Sequence, residues 1–267
     1  MWGGGAMSRV QLCELHELER TPDRWRRMLN DVLTFFALNF DPYGPVLPRL
    51  LDAIGKSGQA RVLDLGSGAG GPAMALIHCA LRRGLRPPAI MLTDKYPNLE
   101  AFRAAAARYD GVSFVEKPVD AGAIPAGLEG FRTIFSTFHH LAPDRARDLL
   151  REAMERGAGI GVFEYTERNI LAWGLPLLLM PLFVWVATPL LRPLTLARLF
   201  WTYVAPVIPI MLTWDALVSC LRTYSLRELR EMTAGLTKPG WRWELGRVQS
   251  YGTWRVTYLL GYPLSAP

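Results

Sequence analysis

The sequence predicts an α/β protein centred on a mostly parallel sheet with helices on both faces. Three observations carry this expectation. Short β-rich runs alternate with helical stretches between residues 61 and 163, which is the pattern of βαβ units. The first of these runs passes straight into a cluster of glycines. Half of the 267 residues are hydrophobic and a fifth are charged, enough to bury one substantial core.

The elements follow in order. Residues 9–54 have a helical pattern, with Thr21 as N-cap and Pro22 at the first helical position. Met28, Leu29, Val32, Leu33 and Phe36 recur at helical spacing. Residues 42–48 break this helix, and Leu50, Leu51 and Ile54 continue in a second. Strands are expected at 61–65, 89–93, 112–115, 131–136 and 159–163, as short apolar runs suited to a sheet covered on both faces. Helices are expected between them at 72–83, 98–108 and 143–156. After residue 225 a charged helix (226–233) and two further strands (241–248 and 254–260) close the chain.

Between these halves the composition changes. Residues 170–191 carry no charge, and 199–214 form a second uncharged run, with Arg192 and Arg198 between them. The first run is long enough to cross a bilayer. Pro176, Pro181, Pro189, Pro206 and Pro209 interrupt the two runs, and proline costs about 3 kcal/mol in a helix interior. Short broken helices are therefore expected rather than straight spans. Trp173, Trp185, Trp201 and Tyr203 suit a membrane interface. Three readings stay open: peripheral membrane contact through 170–214, a buried cap or homodimer surface, and a two-pass span. The expected organisation is an N-terminal helical lid (1–55), an α/β domain (56–168 and 225–267) and an apolar helical insertion (169–224).

The formal charge of +6 comes mostly from arginine, since lysine occurs only at Lys56, Lys95, Lys117 and Lys238. No dense basic run with interleaved aromatics exists, which argues against a nucleic-acid partner. Cys13, Cys79 and Cys220 are scattered, lack CxxC spacing and read as reduced thiols, so neither a zinc site nor a disulfide frame is expected. A cytoplasmic location follows, with the cytoplasmic face of the inner membrane as the alternative if the insertion meets lipid. The Gly-rich residues 1–6 do not read as a signal peptide, and Met7 is an alternative start.

The central motif is VLDLGSGAGG at 62–71. Closely spaced glycines after a strand permit a tight turn and close backbone approach to a ligand, and Pro72 then opens a helix. Gly66, Gly68 and Gly71 alone also fit a dinucleotide-binding loop. Asp64, two residues before the first glycine, separates the readings: a carboxylate there suits an ammonium group and repels a pyrophosphate. Asp94 ends the second strand, where ribose hydroxyls of either nucleoside cofactor are accepted. Asp120 follows the third strand and suits an adenine amino group.

The ordered set VLDLGSGAGG, TDKYPN (93–98), VDA (119–121) and STFHHL (136–141) resembles the class I S-adenosylmethionine-dependent methyltransferases. The match spans about residues 61–164. GVFEYTER (161–168), WDALVSCLRTYS (214–225) and TYLLGYP (257–263) also look like a bacterial group of such enzymes. The resemblance implies a Rossmann-like sheet with an antiparallel C-terminal strand and S-adenosylmethionine as cofactor. It implies cofactor contacts from Asp64, Gly66, Ser67, Gly68, Gly70, Asp94, Lys95, Asp120 and Phe138.

Methyl transfer needs in-line approach of a nucleophile, and positioning alone removes on the order of 7–11 kcal/mol of a barrier. A general base matters when the acceptor carries a proton to be lost. His139 and His140, after the fourth strand, and Glu164, at the end of the fifth, are the candidate catalytic residues; the bland alternative is that an imidazole merely holds its loop. No metal site accompanies them by spacing. The apolar insertion points to a lipophilic small-molecule acceptor. A nicotinamide-dependent oxidoreductase and a non-catalytic membrane-associated scaffold are the rival readings.

Overall fold

The computed structural model describes residues 8–250 and 254–264. The Gly-rich start and the choice between Met1 and Met7 lie outside the described residues. The chain divides into two compact units, Met1–Phe36 with Thr166–Ser225, and Ala37–Tyr165 with Leu226–Pro267. This differs from the expected organisation. The boundary falls inside helix α1 (Asp23–Phe40), so the N-terminal segment groups with the insertion, while α2 (Leu47–Ser57) groups with the sheet.

The sheet unit contains β1 (Arg61–Leu65), α3 (Gly71–Arg82), β2 (Ala89–Thr93), α4 (Leu99–Arg108), β3 (Val112–Phe114) and β4 (Phe131–Phe135). It continues with α5 (Pro143–Arg156), β5 (Ile160–Glu164), and, beyond the second unit, α9 (Leu226–Ala234), β6 (Trp241–Gln249) and β7 (Arg255–Pro263). Among the described residues the sheet has seven strands in the order β3-β2-β1-β4-β5-β7-β6. Strands β1 to β5 are parallel, and β7 runs antiparallel to both β5 and β6. Every residue of β4 and of β5 is buried, which explains why these strands read as unbroken apolar runs. The strand order reverses at β1, so the carboxyl ends of β1, β2 and β4 flank the crevice where such sheets take ligands. Leu50, Val62, Ile77, Ile90, Phe131 and Leu260 belong to one core.

The apolar unit contains the first part of α1, α6 (Ile170–Ala187), α7 (Leu196–Leu199), a π-helical turn (Phe200–Val204) and α8 (Val207–Arg222). Its core joins Met28, Leu29 and Val32 of α1 to Val184 of α6 and to Ile208, Met211 and Leu212 of α8. Phe183 packs edge-to-face on Phe36, with ring centroids 6.0 Å apart. Pro176 and Pro181 do not break α6, contrary to the expectation of short pieces; both lie inside the continuous helix. The chain turns instead at Thr188–Leu190, a 3-10 turn holding Pro189, and at Pro206, where the helices on either side bend by 67°. Pro209 sits in the first turn of α8, where its absent N–H costs nothing. Among the described residues no single helix is long and apolar enough to cross a membrane, although the bent pair Leu196–Val204 and Val207–Arg222 meets the length and composition required.

Candidate cofactor and catalytic site

The glycine turn is held by its neighbours on the sheet. Gly66 has φ +70°, and a Cβ there would stand 2.6 Å from Cγ2 of Thr137, so both backbone freedom and close approach demand glycine. Gly70, at φ +81°, caps the start of α3. Between them Ser67 is buried and works structurally: its Oγ donates to the Asp64 carbonyl at 3.0 Å and accepts from Thr93 N–H at 3.1 Å. These bonds tie the turn to the end of β2.

Asp94 leaves β2 directly beside this turn. Its Oδ2 accepts the Gly68 N–H at 2.7 Å and its Oδ1 the Tyr96 N–H at 2.8 Å. Each carboxylate oxygen has a second lone pair for a further donor. The Asp94 carbonyl accepts Val119 N–H at 2.8 Å, which brings the Asp120 loop against the same strand end. Asp120 accepts Gly122 N–H at 2.8 Å and pairs with Arg145 at 3.3 Å. Lys95 is exposed beside Asp94, with its ammonium 5.7 Å from the Tyr96 ring centre.

Asp64 occupies a different environment. It is 2% exposed, and its Oδ1 accepts the Thr133 hydroxyl at 2.6 Å across to β4. Burial pushes its carboxyl up to about 6, against the opposing effect of the Thr133 and Ser67 hydrogen bonds. A positive charge beside such a carboxylate would favour its ionised form.

After β4, Ser136 adopts φ +44°, a strained conformation for a residue with a side chain. Its backbone N–H donates to the Phe163 carbonyl at 2.8 Å, and its hydroxyl meets the Tyr43 hydroxyl at 2.7 Å. The turn Phe138–His140 follows. Phe138 is wholly buried. His139 is buried too, and Glu164 at the end of β5 reaches it twice: Oε1 accepts its backbone N–H at 3.1 Å, and Oε2 lies 2.8 Å from Nδ1. A proton on Nδ1 toward the carboxylate leaves the lone pair on Nε2; this tautomer is assigned from the hydrogen bond. The His140 ring stands 4.5 Å from that of His139, centre to centre, and is less buried.

The structure thus gathers the glycine turn, Asp94 and Asp120 along one edge, and His139, His140 and Glu164 at the ends of β4 and β5. Tyr43 and Ser136 were missed in the sequence. Ser136 opens the STFHHL motif, but its left-handed backbone and its hydrogen bond to Tyr43 depend on partners distant in sequence; Tyr43 stands in a Gly/Pro-rich break that reads as a loop. Asp215 and Arg222, in the 214–225 segment of the resemblance, work within the apolar unit. Asp215 lies inside α8 and caps a distant turn, accepting Leu15 N–H at 2.6 Å. Arg222 forms a two-pronged pair with Glu17, at 2.5 and 3.2 Å.

No family model and no curated protein matches the sequence. Solved structures do match. An O-methyltransferase family protein from Burkholderia thailandensis is 16% identical, with a TM-score of 0.52 over 92% of this chain and 61% of its own. The mitomycin 7-O-methyltransferase MmcR is 19% identical, with a TM-score of 0.52 over 92% and 60%. The plantazolicin methyltransferase BpumL, in complex with S-adenosylhomocysteine, is 11% identical, with a TM-score of 0.50 over 90% and 96%. The chain spans about three-fifths of the length of the first two. At these identities the likeness is one of fold, and the fold is that of the class I S-adenosylmethionine-dependent methyltransferases.

Proposed function

We propose that this protein transfers a methyl group from S-adenosylmethionine to a lipophilic small molecule through an acceptor atom that must lose a proton. The observation that carries the cofactor is Asp94, aimed by two backbone N–H groups and adjoining a glycine turn on the edge where doubly wound sheets bind nucleosides. In this reading Asp94 accepts the ribose hydroxyls, Gly66, Gly68 and Gly70 admit the ligand close to the backbone, and Asp64 meets the methionine ammonium. Ser67 holds the turn. Asp120 faces the adenine, exchanging its pairing with Arg145 for the base, and Lys95 flanks the ribose. The cofactor supplies an electrophilic methyl on a sulfonium.

The acceptor side rests on the His139–Glu164 pair. Glu164 fixes the ring and its tautomer, so Nε2 can take a proton from a hydroxyl or phenol; Glu164 is a positioning residue and His139 the base. His140 borders the same turn. An acid–base pair of this kind has no use in moving a methyl group to an unprotonated amine. The apolar insertion favours an acceptor of low polarity.

The test is transfer of a labelled methyl group from S-adenosylmethionine to hydroxylated lipophilic acceptors, with wild type and His139→Ala compared. Organic-extractable label formed by wild type and lost in the variant is expected. A folded sample that ignores S-adenosylmethionine and binds a reduced nicotinamide dinucleotide overturns the assignment.

A further inference from the structure

The apolar unit is built the wrong way round for a surface in water. On α6, Leu175, Leu178, Leu179, Leu182, Trp185 and Val186 are all exposed, Leu178 to 76%. Their spacing places them along one side of the helix. The opposite side supplies Val184 and Ala187, which are 0% and 1% exposed. On α8, Ile210, Trp214 and Leu217 form a second exposed row, and the link between the helices adds Leu196 at 86% and Val204 at 72%. Meanwhile Glu14, Arg26, Arg198, Asp215 and Arg222 of the same unit are each no more than 8% exposed. Charged residues are almost never fully buried unless paired, and large contiguous apolar patches are rare on soluble monomers.

Charge decides what such a surface fits. From residue 170 to 214 the sequence contains no aspartate or glutamate, and its two cations are Arg192 and Arg198. Arg198 is buried and paired with Asp31. Arg192 is exposed between Leu190 and Leu194, themselves exposed, with its guanidinium on the Pro189 carbonyl at 2.9 Å. Arg24, exposed on α1, lies 5.2 Å from the ring of Trp201, beside the exposed Phe200. The nearest carboxylate in sequence, Asp23, is held by Arg26 at 2.7 Å. Trp185 and Tyr203 are each half-exposed, with the indole N–H donating to the Thr202 carbonyl and the phenol to the Trp185 carbonyl. Apolar rows with amphipathic aromatics and guanidiniums at their edge match the acyl and headgroup layers of one leaflet. A second copy of this chain offers the same cationic surface and no carboxylate from this segment to meet it.

We infer that residues 174–217 form a monotopic membrane-docking surface, which lies in one leaflet of an anionic bilayer with Leu178, Leu182 and Leu196 among the acyl chains and Arg192 and Arg24 at the phosphates. This surface is independent of the methyl-transfer reading.

The experiment is flotation of the full chain with vesicles of phosphatidylcholine alone and of phosphatidylcholine mixed with phosphatidylglycerol. Binding to the mixed vesicles is expected, with Trp fluorescence shifted to the blue. Leu178→Glu combined with Leu182→Glu lowers the partition coefficient by roughly a hundredfold, and Arg192→Glu by roughly tenfold on mixed vesicles only. Unchanged S-adenosylhomocysteine affinity and near-UV circular dichroism show that the variants are folded. The inference fails if wild type remains unbound to both vesicle types, or binds them equally. It also fails if Leu178→Cys crosslinks two copies in detergent-free solution. Loss of S-adenosylhomocysteine binding with flotation intact would strike the enzyme assignment instead.

Discussion

The two units of this chain differ in what surrounds their buried ionic groups and in what they expose. In the sheet unit the buried ionic groups Asp64, His139 and Glu164 lie at or near strand ends, Arg132 pairs from β4 with Glu152, and Asp94 and Asp120 are half-buried. In the apolar unit Glu14, Arg26, Arg198, Asp215 and Arg222 are buried around an apolar core, while many leucines, valines and aromatics face out beside the exposed Arg24 and Arg192. Buried charge in the second unit is compensated by pairing: Arg222 grips Glu17 and stands 3.7 Å from Glu14, while Asp215 holds the Leu15–Glu17 turn. The polar groups of each unit therefore have to be judged by what they touch.

That contrast can be broken by substitution. Arg222→Met should destabilise the apolar unit by about 3 kcal/mol, because it strands the buried Glu14 carboxylate and the half-buried Glu17; thermal melting reads this, and S-adenosylhomocysteine affinity should not change beyond the loss of folded protein. In the sheet unit the reverse split is expected. His139→Ala lowers kcat by about a hundredfold or more with a small change in Tm, and Glu164→Gln lowers it less while displacing the acid limb of the pH profile. A kcat effect matched by Arg222→Met at full folding would erase the distinction.

Asp64 sharpens it further. In the unfolded chain an aspartate titrates near 3.9, whereas here burial raises it to about 6. The folded state therefore holds the proton longer, so stability falls as pH climbs from about 4 through 6. Asp64→Asn should remove this cost, raising stability by up to about 3 kcal/mol above pH 6 and by little near pH 4. The same variant should weaken S-adenosylhomocysteine binding, since an amide cannot pair with the ammonium. Paired melting curves and titrations across this range check both halves.

The smallest effect concerns His16. Burial lowers its pKa, but the Asp215 hydrogen bond at 3.0 Å and the charges of Glu14, Asp215 and Glu17 raise it by more. A histidine raised on folding contributes stability that is complete below its unfolded value and lost as pH rises through the folded one. The apolar unit should thus melt slightly lower in mildly alkaline buffer than in mildly acidic buffer, and His16→Phe should flatten that dependence. Its ring keeps about a third of its surface exposed, 33%, so screening keeps the effect small.

What was legible in the sequence follows from the range of the interactions involved. Strands β1 to β5 and the glycine turn are local: apolar runs, a turn that only glycine fits and a proline at a helix start lie within a few residues of each other. The Asp94 position is equally local. The His139–Glu164 pair was half-visible, because strand alternation places both residues at carboxyl ends, though only the pairing of β4 with β5 brings them to 2.8 Å. The unit boundary inside α1 was hidden, since Asp215 and the turn it caps are 200 residues apart. The continuity of α6 through Pro176 and Pro181 was not legible, because intrinsic propensity is only a weak prior for a helix in a folded chain.

The most direct test of the central claim is calorimetric titration of the detergent-purified full chain with S-adenosylhomocysteine, beside an Asp94→Ala control. Micromolar binding by wild type, lost in a control that melts normally, is the expected result. Absence of binding by folded wild type, or equal binding by Asp94→Ala, would contradict the account.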